Sequence, residues 1–219
     1  MKNGVVSSAR SVRDAGLLNR IVQQFSRGFE TLHGLGPAVS VFGSARLSEG
    51  SREYELGCDL GELLANKGYA VITGGGPGLM EAANRGVTRV GGRSVGLNIQ
   101  LPAEQGANRY SEVALEFEHF FARKVMFLRY SQAFFVLPGG FGTMDELFEA
   151  LTLIQTGKVE RKPILLLGRD FWGGLYGWIR EQMGRLATIS PEDLHLMQVV
   201  ETAEEAVESF QAFGPSHSP

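Results

Sequence analysis

AFFVLPGGFGTMDE, residues 133–146, carries the clearest structural pattern in this chain of 219 residues. Its first five residues are apolar and include a valine and two phenylalanines, which predicts a buried strand. Pro138 ends that strand, and three glycines among the next four residues free the backbone from side-chain clashes. Thr143 is predicted to cap a helix, because the apolar residues beyond it recur at helical spacing. A strand, a glycine turn and a helix N-terminus gather backbone N–H groups at one point, which favours an anion such as phosphate.

Two carboxylates, Asp145 and Glu146, stand in the first turn of this predicted helix. A negative charge there would repel a phosphate, so its presence indicates chemistry on the atoms next to the phosphate. A structural role for Glu146 is equally open. Thr143 and Glu146 have the spacing of a capping box, and the helix dipole favours acidic residues in a first turn.

A second glycine loop, GGGPG at residues 74–78, follows the strand-like residues 69–73 and precedes a helical pattern. It differs from a dinucleotide fingerprint, because Leu79 stands where the last glycine would be and the next strand, residues 94–99, does not end in an acid. Neither loop continues into the Gly-Lys-Ser/Thr of a Walker motif. Glycines that merely let a helix pack on a strand explain one such loop, but two loops favour a mononucleotide crevice.

Strand and helix patterns alternate along most of the chain, which predicts a single Rossmann-like α/β domain: a doubly wound parallel sheet with helices on both faces. Its range is 37–212, after an N-terminal extension with an amphipathic helix (1–36) and before a disordered tail (213–219). In such sheets ligands bind beyond the carboxyl ends of the strands. Gly43-Ser44 and the two glycine loops all lie at such ends, so three turns are expected to meet at one rim.

Composition narrows the class of protein. The net charge of −3 with intermixed signs gives no basic face, so nucleic acid is not an expected partner. The lone Cys58 is expected to pack as a small apolar group, and it and four scattered histidines predict no metal site. No apolar run is long enough for a bilayer and no signal-peptide core is present, so we expect no membrane association and a cytoplasmic location.

Residues 138–146 resemble the P-G-G-x-G-T-x-x-E signature of the LONELY GUY family, and Arg123-Lys124 resembles the Arg-Lys pair that accompanies it. The resemblance covers roughly residues 37–200. Members of that family are cytokinin riboside 5′-monophosphate phosphoribohydrolases. The resemblance implies an enzyme that hydrolyses the N-glycosidic bond of AMP or N6-modified AMP, releasing the base and ribose 5-phosphate, and that needs no cofactor.

The resemblance also implies the site residues. Glu146 would be the catalytic carboxylate and Arg123 its catalytic partner, which suits the oxocarbenium-like sugar of N-glycoside cleavage. The substrate would be bound by Gly43, Ser44, Gly75, Gly76, Glu104, Lys124, Gly139, Gly140, Phe141, Gly142, Thr143, Met144, Asp145 and Thr152.

Two departures from the family pattern affect the substrate and the assembly. The second glycine loop is one residue shorter than in plant members, with Glu81 in place of its last glycine, and the helix before Pro37 is extra. A homodimer is expected through the apolar helix that carries Phe127, Leu128 and Tyr130. The alternative function is a non-catalytic nucleotide or cofactor carrier of the same fold. Amino-acid decarboxylation needs a lysine to anchor pyridoxal phosphate, and none is marked for that role.

Overall fold

A computed structural model describes residues 3–101 and 106–214, with side chains from residue 13 onwards. The strands are β1 Ala38–Phe42, β2 Ala70–Thr73, β3 Ser94–Ile99, β4 Val113–Phe117, β5 Phe134–Val136, β6 Ile164–Leu167 and β7 Met197–Val200. The helices are α1 Asn3–Leu32, α2 Arg52–Asn66, α3 Leu79–Arg89, α4 Phe120–Tyr130, α5 Phe141–Gln155, α6 Arg169–Trp178 and α7 Ala203–Ala212. A π-helical turn, Ile179–Met183, continues α6, and a 3₁₀ turn, Pro191–Leu196, precedes β7.

The described strands form one sheet in the order β4-β3-β2-β1-β5-β6-β7, and every neighbouring pair is parallel. The order reverses between β1 and β5, the neighbours in the sheet that are farthest apart in the chain. This is the switch point at which doubly wound sheets bind ligands. The predicted α/β fold is confirmed.

Two apolar layers cover the sheet. Helices α2, α3 and α7 pack on one face around residues such as Val41 and Phe135, whereas α4, α5 and α6 cover the other face around Phe134 and Leu166. Cys58 is fully buried in the first layer, as expected, and burial raises the pKa of its thiol to about 11. No helix in the described part of the chain is long and apolar enough to cross a membrane.

Side-chain caps fix several helix starts. Ser51 Oγ accepts the Tyr54 N–H at 3.2 Å at the start of α2, and Thr202 Oγ1 accepts the Glu205 N–H at 3.2 Å at the start of α7.

The predicted cap of α5 is wrong. This helix begins at Phe141 with Gly140 as its N-cap, so Thr143 lies inside the first turn and Thr143 and Glu146 form no capping box. The N-cap therefore lies three residues before the threonine that the sequence indicated.

One element was missing from the sequence interpretation, because strand β7 was not predicted. The expected disordered tail lies mostly outside the described residues, which end at Gly214.

Candidate active site

The crevice forms where the carboxyl ends of β2, β1 and β5 lie side by side. The backbone of a single residue, Ser44, joins the turns that follow these strands. The Ser44 N–H donates to Pro138 O at 3.0 Å, and Ser44 O accepts the Leu79 N–H at 2.8 Å. Gly43 is required next to it, because a Cβ there would lie 2.8 Å from Leu79 Cβ. The predicted convergence of three turns at one rim is therefore present.

The β5–α5 turn presents the N-terminus of α5. The helix ladder starts with the Met144 N–H, which donates to Gly140 O at 3.0 Å, so the N–H groups of Phe141, Gly142 and Thr143 precede it. Gly139 allows Thr143 to fold back, since a Cβ on Gly139 would lie 2.1 Å from Thr143 Oγ1. N–H groups aimed out of a helix start are suited to an anion.

Arg123 and Glu146 form a buried ion pair behind this turn. Arg123 Nη2 donates to Glu146 Oε1 at 2.8 Å, and the two residues are only 9% and 7% exposed. The guanidinium also lies 5.3 Å and 5.5 Å from the ring centres of Phe120 and Phe127. Its Nε is buried and has no hydrogen-bond partner within the described residues. One donor of the guanidinium, the Nε–H, is thus left without a partner among the described residues.

Two effects act in opposite directions on the pKa of Glu146. Burial raises the pKa of Glu146, and the nearby cations Arg123 and Lys124 lower it; the net pKa is raised. A carboxylate with a raised pKa is a stronger base than an exposed glutamate while it stays ionised near neutral pH.

The second glycine loop lies against the same arginine. A Cβ on Gly74 would be 3.7 Å from Arg123 Nη1 and 2.7 Å from Met80 Sδ, so Met80 covers the loop at the edge of the crevice. Gly75 has a φ of +70°, and a Cβ there would meet Asn98 Oδ1 at 2.2 Å. Gly75 therefore has a steric reason to be glycine, whereas at Gly74 the flexible Met80 side chain can move aside.

A buried amide network, which the sequence interpretation missed, holds this loop. Gly75 O accepts the Asn108 N–H at 2.8 Å and Asn98 Nδ2 at 3.1 Å, while Asn108 Nδ2 donates to Gly76 O at 3.0 Å. Asn108 Nδ2 also reaches Asn84 Oδ1 at 3.0 Å. The sequence offered two signals for this network: Asn98 near the end of β3, and Asn108 in the irregular stretch after that strand.

Several predicted site residues lie elsewhere. Lys124 Nζ binds Asp145 Oδ2 at 2.8 Å and Glu149 Oε2 at 3.2 Å. Burial lowers the pKa of Lys124, but these two hydrogen bonds together with the charges of Glu149 and Glu146 outweigh burial, and the pKa is raised. Phe141, Met144, Asp145 and Thr152 line an open groove of about 520 Å³ on the outer side of α5, together with Phe148, Glu149 and Leu153. Glu104 lies outside the described residues.

Acidic and histidine side chains do not gather into a metal-binding group: residues 3–101 and 106–214 contain no cluster of three or more His, Cys, Asp or Glu that could hold an ion. The groups that the crevice offers for chemistry are the helix N-terminus, the glycine loops and the Arg123–Glu146 pair. Fold and crevice together define a Rossmann-like protein of the nucleotide-binding type.

Comparison with known proteins narrows this class. Residues 80–210 match a family model described as "possible lysine decarboxylase". The chain is 30% identical over 184 residues to the cytokinin riboside 5′-monophosphate phosphoribohydrolase LOG3 of Arabidopsis thaliana, covering 82% of this chain and 84% of the relative. It is 32% identical over 160 residues to the phosphoribohydrolase of the same description from Mycobacterium tuberculosis, covering 70% of this chain and 82% of the relative. The chain belongs to the LONELY GUY (LOG) family.

Among solved structures, the molybdenum cofactor carrier protein from Chlamydomonas reinhardtii is similar with a TM-score of 0.58. The match covers 80% of this chain and 96% of the carrier at 20% sequence identity. At that identity the likeness concerns the fold.

Proposed function

We propose that this protein hydrolyses the N-glycosidic bond of a nucleoside 5′-monophosphate, giving the free base and ribose 5-phosphate. The observation that carries the proposal is the buried Arg123–Glu146 pair beside the N-terminus of α5. An anion site next to a carboxylate of raised pKa suits a substrate whose phosphate is bound while its sugar reacts. The activities named for the two relatives agree with this chemistry.

In the proposed reaction, the bond between C1′ and the base nitrogen breaks as water adds to C1′. Glu146 stabilises the positive charge that develops on the sugar and accepts the proton of the attacking water. The base leaves with the bonding electron pair and takes up one proton, and the proton that Glu146 accepted balances it, so the carboxylate is restored. Arg123 keeps the carboxylate ionised through the hydrogen bond from its Nη2. General-base assistance of this kind contributes a rate factor of about 10² to 10⁴.

The phosphate is proposed to bind at the start of α5, on the N–H groups of Phe141, Gly142 and Thr143 and against Gly139 and Gly140. The sugar and base then extend towards the second glycine loop, past Gly75, Gly76 and Met80. The other residues that the family resemblance implies as substrate contacts remain part of the proposal: Gly43, Ser44, Glu104, Lys124, Met144, Asp145 and Thr152.

The description "possible lysine decarboxylase" is not favoured as the activity. Lys124 is held by two carboxylates, and Lys162 Nζ donates to Leu128 O at 2.8 Å. A lysine that forms a Schiff base needs a free amine at the cofactor, and both of these amines are engaged.

A homodimer that works in the cytoplasm is part of the proposal. Phe127 cannot form the interface as expected, because it is buried beside Phe42. Five exposed apolar side chains lie instead on the outer sides of α4 and α5: Phe120, Phe121, Val125, Phe141 and Phe148. This surface, here called the α4–α5 surface, includes Phe141 at 95% exposure, and so large an exposed ring favours a partner. A second copy of the chain offers a matching apolar surface.

The test is incubation with a panel of nucleoside monophosphates, including AMP, N6-isopentenyl-AMP, GMP and CMP, with chromatography of the released base. We expect adenine or its N6-substituted form to be released, and adenosine without phosphate to react much more slowly. Calorimetric binding of AMP with no base released from any nucleotide would contradict the hydrolase and favour a carrier.

A further inference from the structure

Helix α1 lies against α4, the helix that carries Arg123, although it precedes the segment that the family model matches. The contact runs along α4. A Cβ on Gly28 would lie 2.7 Å from Met126 Sδ, so the two helices meet closely at this point. At the other end Arg129 stacks 5.2 Å from the ring centre of Phe29, and Tyr130 Oη donates to Phe29 O at 3.4 Å.

Gln24 joins α1 to the start of α4. This side chain is only 7% exposed. Its Oε1 accepts the backbone N–H of Glu118 at 2.8 Å and that of His119 at 3.1 Å, immediately before α4 begins at Phe120. Among the described residues, His119 itself makes no side-chain cap. A residue of another helix thus satisfies backbone donors at the start of α4.

The other end of the Gln24 amide is also fixed. Its Nε2 lies 2.9 Å from His119 Nδ1 and donates to Arg20 O at 3.3 Å. Since Oε1 accepts two N–H groups, Nε2 is the donor to the imidazole, and the ring proton of His119 sits on Nε2 of that ring. Around this amide Arg20 pairs with Glu118 at 3.3 Å. Gln24 is therefore oriented by four polar contacts.

Arg123 lies in the first turn of α4, one turn beyond this connection, and its N–H bonds His119 O at 3.4 Å. A shift of the start of α4 consequently moves the guanidinium relative to Glu146. In contrast, none of the Gln24 contacts described above is with the start of α5, where the phosphate is proposed to bind. A misplacement of about 1 Å in such a pair reduces the rate by up to roughly 10².

We propose that Gln24 is a positioning residue for the reaction: through the start of α4 it sets the place of Arg123 against Glu146. The inference rests on the proposed hydrolase function. It makes α1 a part of the catalytic unit instead of an appendage.

The experiment compares Gln24→Ala with Gln23→Ala, its exposed neighbour on the same helix. With AMP as substrate, Gln24→Ala is expected to lower kcat about tenfold and to leave KM within about twofold, because the chemistry and not the phosphate site is disturbed. Gln23→Ala should keep both constants. Val207→Ala, a cavity variant in the opposite layer, controls for lost stability.

A second readout separates positioning from stability. Glu146 faces Arg123 and Lys124 of α4 and Glu149 of its own helix. Displacing Arg123 removes a cation that lowers the Glu146 pKa, so the acid limb of the kcat profile should move to higher pH in Gln24→Ala. Neither Gln23→Ala nor Val207→Ala should move this limb.

Parental kcat in Gln24→Ala overturns the inference, and so does an equal loss of kcat in Val207→Ala at the same loss of Tm. If the parental protein releases no base, the proposed hydrolase function is contradicted. Amide hydrogen exchange then tests, without any activity assay, whether Gln24 holds the start of α4. Faster exchange of the amides of residues 118–123 in Gln24→Ala than in Gln23→Ala supports the connection to α4, and equal exchange contradicts it.

Discussion

The proposed base, Glu146, is a buried glutamate paired with the cation Arg123. Glu146→Gln keeps an oxygen that accepts from Arg123 Nη2, so the fold should persist with little change in Tm. The fold is thus expected to persist because of the hydrogen bond to Arg123, and not because of the capping box that the sequence indicated. The amide cannot accept a proton, and kcat for base release should fall at least about a hundredfold with AMP affinity nearly unchanged. Calorimetry beside the base-release assay checks both. Parental turnover in this variant would remove Glu146 from the mechanism.

The acid limb of the activity profile should also report Glu146. Burial raises the pKa of this carboxyl above the ordinary value of a glutamate. In the proposed reaction the ionised form is the active base, so the acid limb of kcat should lie at higher pH than for an exposed glutamate. A series of kcat measurements from pH 4 to 8 tests this. A limb within the ordinary range of a glutamate would mean that Arg123 outweighs burial.

Gly142 tests the phosphate site without disturbing the fold. A Cβ at Gly142 meets no atom within 4 Å among the described residues, and alanine is favoured over glycine within a helix. The methyl group would crowd an anion at the start of α5. Gly142→Ala is expected to weaken AMP binding about tenfold and to leave adenosine binding unchanged. If both ligands weaken alike, the phosphate binds elsewhere.

At the scale of elements, α2 and α3 approach closely through small residues. A Cβ on Gly61 would lie 2.1 Å from Ala83 O, and one on Gly86 would lie 1.9 Å from Cys58 O. Both contacts are to backbone, which cannot rotate away. Gly61→Ala should therefore lower the free energy of unfolding by about 2–3 kcal/mol despite the better helix propensity of alanine.

The matched control is Gly174→Ala in α6. A Cβ at Gly174 meets nothing within 4 Å in the described chain, so only the propensity gain of about 0.5–1 kcal/mol remains. Urea unfolding of the two variants should give shifts of opposite sign. Equal shifts would mean that α2 and α3 have room to separate.

The sequence predicted the elements with strong periodicity and failed where tertiary contacts decide. The alternation of strand and helix around both glycine loops follows from local pattern. Strand β7 does not, because four residues between two helical turns become a strand only by pairing with β6. Thr143 misled the start of α5, since the N-cap is Gly140, three residues earlier. The role of Asn108 could not be assigned, because the partners of its Nδ2 lie more than 20 residues away in the chain.

For the whole molecule, the α4–α5 surface predicts association. The 23.8 kDa chain should give about twice its mass in light scattering at micromolar concentration. Phe121→Asp with Phe148→Asp places charges in the apolar surface and should weaken the dimer at least about a hundredfold, giving the monomer mass. The control is Phe213→Asp, an exposed phenylalanine after α7. A monomer mass for the parental protein would contradict the proposed dimer.

Ser44 has a consequence for which ligands fit the crevice. Its N–H and its C=O tie the turns after β5 and β2, so both walls of the crevice are held by the backbone of one residue. A ligand that is too wide must break at least one of these two hydrogen bonds, at about 1 kcal/mol. Widening the crevice thus costs at least about fivefold in affinity. The backbone therefore limits how thick a ligand can be. This limit does not depend on the side chain at position 44, except that proline has no N–H to donate.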